Sequence, residues 1–445
     1  MLATLRNRKN DSVIFKKSKR NEVIMSTKKL VLGQFSIGIG DRFGMEGRAQ
    51  LRALKQALDK GVEITPVWNK SNREHTLIGT EPISTRAAAA VAVKEEGWTR
   101  PFFVDADHIG MKTVDRFIDA CDFFTLDVAD YIGKAAPAEE IEKFIAAITP
   151  HIGVVRHPGL DHDLKISGEA LHAFSQKYVY AIQEAAKTYA YIKQKKGEGN
   201  FVAEVSVDEA YDPQTPAELY LFLAGLAHVG IAASTVAPKF SGAFLKGIDY
   251  VGDVNGFAKE FKDDLAVIAI AKDKFGLPQE LKLSVHSGSD KYSLYPHIYS
   301  IIKKNGGGVH LKTAGTTWLE EVIGLASDAK TLPIAKKIYA LAFDRFEELR
   351  KPYETVVEIE QSKLPAPSVV NAWTSEQYVA ALKHDQGSKT LDKNFRQLVH
   401  IAFRVAAEMG DEFKNGLVQA RESIEHNVTY NLFNRHIEPL FLGKK

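Results

Sequence analysis

The sequence predicts an α/β protein, a TIM-like (β/α)8 barrel followed by a C-terminal helical extension. Three observations lead there. Apolar, β-rich runs alternate with helical patterns eight times over about 300 residues, which is the signature of a barrel with insertions. Several of these runs end abruptly in polar residues and glycine, as barrel strands do when they hand side chains to the loops of the C-terminal face. Beyond residue 330 the strand-like runs stop and only helical spacing remains. An open doubly wound sheet is the other arrangement the alternation permits. However, no GxGxxG follows the first strand and no GxxxxGK[ST] occurs, so the usual nucleotide-binding signatures are missing.

Taken in order, residues 1–24 are basic and polar (Arg6, Arg8, Lys9, Lys16, Lys17, Lys19, Arg20) and lack the long apolar region of a secretory signal, so a disordered tail is expected. The barrel is expected over 25–330. Residues 30–39 read as the first strand and lead into Asp41, Arg42, Phe43 and Gly44; Leu51, Leu54, Ala57 and Leu58 then predict a helix over 48–60, stopped by Gly61. A second strand over 62–68 precedes an Ala-rich helix over 84–96, closed by Gly97. The third unit is a strand over 102–106 with a helix over 113–120, and 123–127 begins the fourth. Residues 150–165 break the pattern as an inserted loop before a long helix from 168 to about 196. A fifth strand over 201–205 follows, and Thr215 before Pro216 opens a helix by the cap-then-proline rule, with Gly230 past its end. Residues 231–236 are the sixth strand, and runs ending in His286 and His310 are the seventh and eighth. Helical spacing over 332–350, 375–384 and 394–416, with a mixed tail over 421–442, places an extension over 331–445 that packs beside the barrel or covers its mouth.

Composition bounds the function. With 45% hydrophobic and 26% charged residues the chain can bury a large core, and a formal net charge of +2 gives no reason to expect nucleic acid or membrane as a partner. No stretch approaches the roughly 20 apolar residues of a membrane helix. A small-molecule substrate fits best. The single cysteine, Cys121, excludes an internal disulfide and any Cys-rich zinc site, consistent with a reducing cytoplasm.

Candidate chemistry collects at three strand ends. Phe102 to Gly110 runs from apolar residues into Asp105, Asp107 and His108; Leu281 to Gly288 ends in His286 and Ser287; Gly308 to Lys312 carries His310 and Lys312. One histidine among 14 is more often structural than not. Three at strand ends of one barrel can converge at its mouth, so His108, His286 and His310 are expected to hold a divalent cation (Zn, Mn, Co or Ni) with positions left open for substrate. Asp107 is the expected proton acceptor, Glu204 on the fifth strand a fourth ligand or acid/base, and Asp105 a structural partner. Arg42, Lys239, Lys291 and Lys312 stand near strand ends and could bind an anionic substrate, although plain exposure explains each as well. The loop at Ser287 could offer backbone N–H groups to a carboxylate.

These same motifs carry a resemblance. From about Leu30 to its end the chain resembles the tagaturonate epimerase family, on Asp107-His108, on Val285 to Lys291 and on Gly308 to Lys312. The resemblance implies a metal-dependent isomerase of hexuronate catabolism that interconverts the ketohexuronates D-tagaturonate and D-fructuronate. More remotely, the Asp-His pair at a strand end is similar to the metal-dependent (class II) sugar aldolases, which makes an aldolase the alternative. The two ketohexuronates differ at a carbon whose C–H the ketone does not acidify. A retro-aldol opening and re-closure, with a metal polarising the ketone, is therefore the expected route of inversion.

Overall fold

The computed structural model describes residues 29–444, and the tail expected over 1–24 lies outside the described residues. Short runs of β-branched and aromatic residues, buried on both faces, form eight parallel strands: β1 (Phe35–Ile39), β2 (Ile64–Ser71), β3 (Phe103–Ile109), β4 (Phe123–Asp127), then, after a hairpin of β5 (Gly153–Val155) and β6 (Leu164–Ile166), β7 (Val202–Ser206), β8 (Thr235–Ala237), β9 (Lys282–Val285) and β10 (Val309–Lys312). They close in the order β1-β10-β9-β8-β7-β4-β3-β2, every pairing parallel, with β5 and β6 pairing only with each other. The expected (β/α)8 fold is the fold observed, and the interruption at 150–165 is the antiparallel hairpin rather than an irregular loop.

Helices return the chain between most strands, and their ends obey local chemistry. Thr215 accepts a hydrogen bond from Glu218 N while Glu218 reaches back to Thr215 N, a reciprocal cap that starts Pro216–His228. Gly168–Lys196 is the long helix predicted, capped by Ser167. The helix expected over 113–120 is instead one 3₁₀ turn, Val114–Arg116. Val114 and Phe117, three residues apart, are already buried by a single tight turn, and the chain then passes directly into β4. The helical run over 394–416 is likewise broken into Lys393–Ile401, Phe403–Glu408 and Asp411–Gln419, the second break falling at Gly410, whose φ of 60° ends a helix without Cβ strain.

The barrel interior is layered. Leu32, Val67, Phe103, Phe123 and Val202 form one small apolar cluster within it. Beside that cluster the interior is polar, with Asp105, Thr125, Glu204 and Lys312 meeting from four different strands. The helices after β10 build a second core around Trp318, Tyr339 and Phe395. A fully buried ion pair at 2.9 Å between Asp290, in the loop after β9, and Arg396 joins this core to the barrel, and Arg42 lies 4.1 Å over the Phe403 ring. Among the described residues no helix is long and apolar enough to cross a membrane.

Candidate metal centre and active site

Alternation along a strand sends neighbouring side chains to opposite faces, so Asp107 and His108 should not share a site. The structure resolves this with an irregularity. The register between β3 and β4 shifts between Ala106 and Ile109, and His108 adopts φ 54°, a left-handed conformation unusual for a non-glycine residue. The two side chains therefore turn to the same region, with His108 Nδ1 donating to Asp107 Oδ1 at 2.9 Å. The loop after β9 carries the same kind of strain, Ser287 at φ 47°, directly after His286. Such strain concentrates where a loop must aim functional groups.

Three donor groups converge: His108, Asp208 and His286 offer ligand atoms that all lie within 4.8 Å of one another. His286 Nδ1 is 2.9 Å and His108 Nε2 3.5 Å from Asp208 Oδ1. Ser206 donates to the same carboxylate at 2.5 Å. Among the described residues neither His108 Nε2 nor His286 Nδ1 has a hydrogen-bond partner of good geometry, although both atoms are buried. Two orphaned imidazole nitrogens around a carboxylate are a donor set that suits a first-row divalent cation. The outer nitrogens are held by carboxylates as well, His108 Nδ1 by Asp107 and His286 Nε2 by Glu204 at 2.6 Å, the arrangement that fixes ring orientation in metal-binding histidines. Burial opposes protonation of both rings, yet the surrounding carboxylates raise His108 well above the usual histidine range and His286 to about 9. The cluster demands positive charge.

His310, the third expected ligand, is not in this group. It is fully buried on β10, with Nδ1 2.8 Å from Ser36 Oγ and its ring 5.4 Å from that of Phe123, and burial pushes its pKa down to about 3. Two residues further along β10, Lys312 reaches the donor level. Its Nζ lies 3.0 Å from Asp105, 2.8 Å from Asp107, 3.0 Å from Glu204 and 2.7 Å from Thr125 Oγ1. One ammonium thus bridges the three interior carboxylates, offsetting one unit of their charge, and ties together the two that orient His108 and His286.

A cavity of about 320 Å³ opens above this cluster, at the small end of the roughly 300–1,000 Å³ typical of ligand sites. Of the residues expected from sequence, Arg42, Asp107, His108, His286, Ser287 and Lys312 line it. Glu204, fully buried behind His286, does not. Lys239 lines an adjoining cavity that shares Asp208 and Ser287. Lys291 lines neither: its buried Nζ donates to the carbonyls of Leu245, Ile248 and Ser289, so it braces the loop rather than facing substrate. Residues absent from the sequence reading complete the wall: Asp208, Asp127, Lys246, Tyr353 and His400. Asp208 was legible in principle, since it sits just past the end of β7 where barrel ligands gather. Tyr353 and His400 come from the helices after the barrel, and nothing in their spacing marks them.

With this geometry in hand, comparison with known proteins points one way. The profile of the tagaturonate epimerase family (UxaE) matches residues 6–439. A tagaturonate/fructuronate epimerase of Thermotoga maritima is 29% identical over 423 residues, covering 91% of this chain and 79% of that protein. The crystal structures of a fructuronate-tagaturonate epimerase from Cohnella laeviribosi, one with glycerol and one native, superpose with TM-scores of 0.77 and 0.76 at 25% identity, covering 93% of this chain and 82% of theirs.

Proposed function

The chain belongs to the tagaturonate epimerase family and is an isomerase, and we propose that it interconverts D-tagaturonate and D-fructuronate by a metal-dependent retro-aldol inversion. The observation that carries this reading is the convergence of His108, Asp208 and His286 in a cavity whose wall also carries Arg42, Arg73, Lys246 and Lys312. A divalent cation held by those three residues supplies Lewis-acid polarisation of the substrate ketone. Everything else falls to the protein.

The two ketohexuronates differ at C4, two bonds from the ketone carbon at C2. Removal of the C4 hydroxyl proton lets the C4–O bond become a carbonyl while the C3–C4 electron pair passes to C3, giving a three-carbon enediolate and a three-carbon aldehyde that carries the carboxylate. Rotation of the aldehyde and re-addition to its other face, with return of the proton, inverts C4 without net loss of any atom.

The proton acceptor needs a carboxylate that is near the site and not already spent on donors. Asp107, the residue expected from sequence, receives both His108 Nδ1 and Lys312 Nζ on Oδ1, and these two charges hold it well below the usual carboxylate range against the opposing effect of burial. A group so stabilised as the anion is a poor base. Asp127, at the end of β4, lines the cavity and accepts only the Ala129 N–H among the described residues. We therefore assign proton transfer to Asp127, and orientation of the metal-binding rings to Asp107 and Glu204. Incubating the metal-loaded protein with D-tagaturonate and following D-fructuronate by NMR tests the reading: appearance of the epimer, abolished by chelator and restored by metal, supports it, and no epimer with loaded protein overturns it.

A further inference from the structure

The cavity carries a second set of groups that neither the metal cluster nor proton transfer uses. Arg42 is buried; its Nε is paired with Glu74 at 2.8 Å, but its Nη1 is buried without a partner among the described residues. Among the described residues Lys246 has no carboxylate within ion-pair distance, and its only side-chain hydrogen bond is a long 3.4 Å one to Ser287 Oγ. His400 is 2% exposed, and both ring nitrogens are without partners. All three line the one cavity, and burial first, then the charges of Arg42 and Lys246, hold the His400 pKa well below the usual histidine range. Gly247, next to Lys246, sits against His400: a Cβ there would stand 3.6 Å from its Nδ1. Glu74 already answers the charge of Arg42, so what the cavity leaves unanswered is the ammonium of Lys246 together with Arg42 Nη1 and the bare His400 ring, donors that a bound anion would satisfy.

We propose that Arg42, Lys246 and His400 form the subsite for the substrate carboxylate and retain the aldehyde fragment while C4 turns over. This rests on the uronate-epimerase reading above. The chemistry makes the role specific. After the C3–C4 bond breaks, the aldehyde fragment has no covalent tie to the enediolate, and its carboxylate is its one charged handle. Anchoring that end leaves rotation about C4–C5 free and prevents escape. His400 comes from the helices after the barrel, so the extension supplies part of the selection for uronates over neutral ketohexoses.

Lys246→Met tests this, with Lys246→Arg as the conservative rescue and metal content measured in both. Three readings are taken: D-tagaturonate affinity by calorimetry, the ratio of kcat/KM for D-tagaturonate to that for D-tagatose, and release of free three-carbon fragments by NMR. Lys246→Met should weaken D-tagaturonate binding on the order of 30-fold, the loss expected for one charge-assisted contact, lower the uronate preference by a similar factor, and leak fragments. Lys246→Arg should recover most of each. Unchanged uronate affinity and preference in Lys246→Met, with the wild type epimerising normally, overturns the subsite and leaves the epimerase reading intact. Wild-type protein that binds D-tagaturonate through Lys246 without epimerising it overturns the parent reading and leaves the subsite standing.

Discussion

The carboxylate of Glu204 stands 2.6 Å from His286 Nε2, while Asp208 faces the same ring 2.9 Å from Nδ1. One imidazole is thus gripped from both sides, by an outer carboxylate that fixes its orientation and an inner one that belongs with it to the proposed donor set. Glu204→Gln removes the outer grip. Metal affinity, read by competition with a chelating dye, should fall roughly 10- to 100-fold, the usual cost of losing such a partner. Unchanged affinity would make Glu204 a purely structural residue.

The donor set itself distinguishes Asp208 from His310. Asp208→Asn should abolish stoichiometric metal binding, measured by elemental analysis of the purified protein. His310→Gln should retain it, because that ring is buried against Ser36 and Phe123 and contributes no atom to the cluster.

Asp127 and Asp107 should separate kinetically. Asp127→Asn should lower kcat by about 10²- to 10⁴-fold with metal content intact, as loss of a positioned base does. Asp107→Asn should act first on metal affinity, since it loosens His108, and the accompanying fall in kcat should be partly recovered by excess metal.

Stability should fall as pH rises through neutrality, for a reason remote from the cavity floor. Glu46 is buried at the start of the helix Gly47–Asp59 with Oε2 unpartnered, and burial followed by the charge of Asp41 raises its pKa from 4.5 to about 8. A carboxyl whose folded pKa lies above its unfolded value contributes fully below about pH 4.5, and that contribution is lost as pH rises towards 8. Glu46→Gln removes this titration. Chemical denaturation should show the variant gaining on the wild type between pH 5 and pH 8, by on the order of 2–4 kcal/mol at the upper end.

Much of this architecture was legible from period and punctuation. The eight strands announced themselves as apolar runs ending in polar residues, and Thr215 before Pro216 marked a helix start that the structure caps as expected. The site was legible only where residues stood at strand ends. His108 and His286 could be found that way. His310 carried the same local signal, but it sits two residues before Lys312 on β10, and sequence gives no measure of depth inside a barrel. Asp208 lies in the loop two residues past Ser206, outside the apolar run that marks β7, whereas Glu204 stands within that run. Lys246, Tyr353 and His400 meet only through tertiary packing of the helices onto the barrel, which no local pattern encodes.

The most direct test of the central claim is to locate the metal. Crystals of the protein grown with Mn²⁺ and measured at the metal's absorption edge should show one anomalous peak, about 2.0–2.3 Å from His108 Nε2, His286 Nδ1 and an Asp208 oxygen. An ion on His310 instead, or no ordered ion among these residues at saturating metal, would contradict the account.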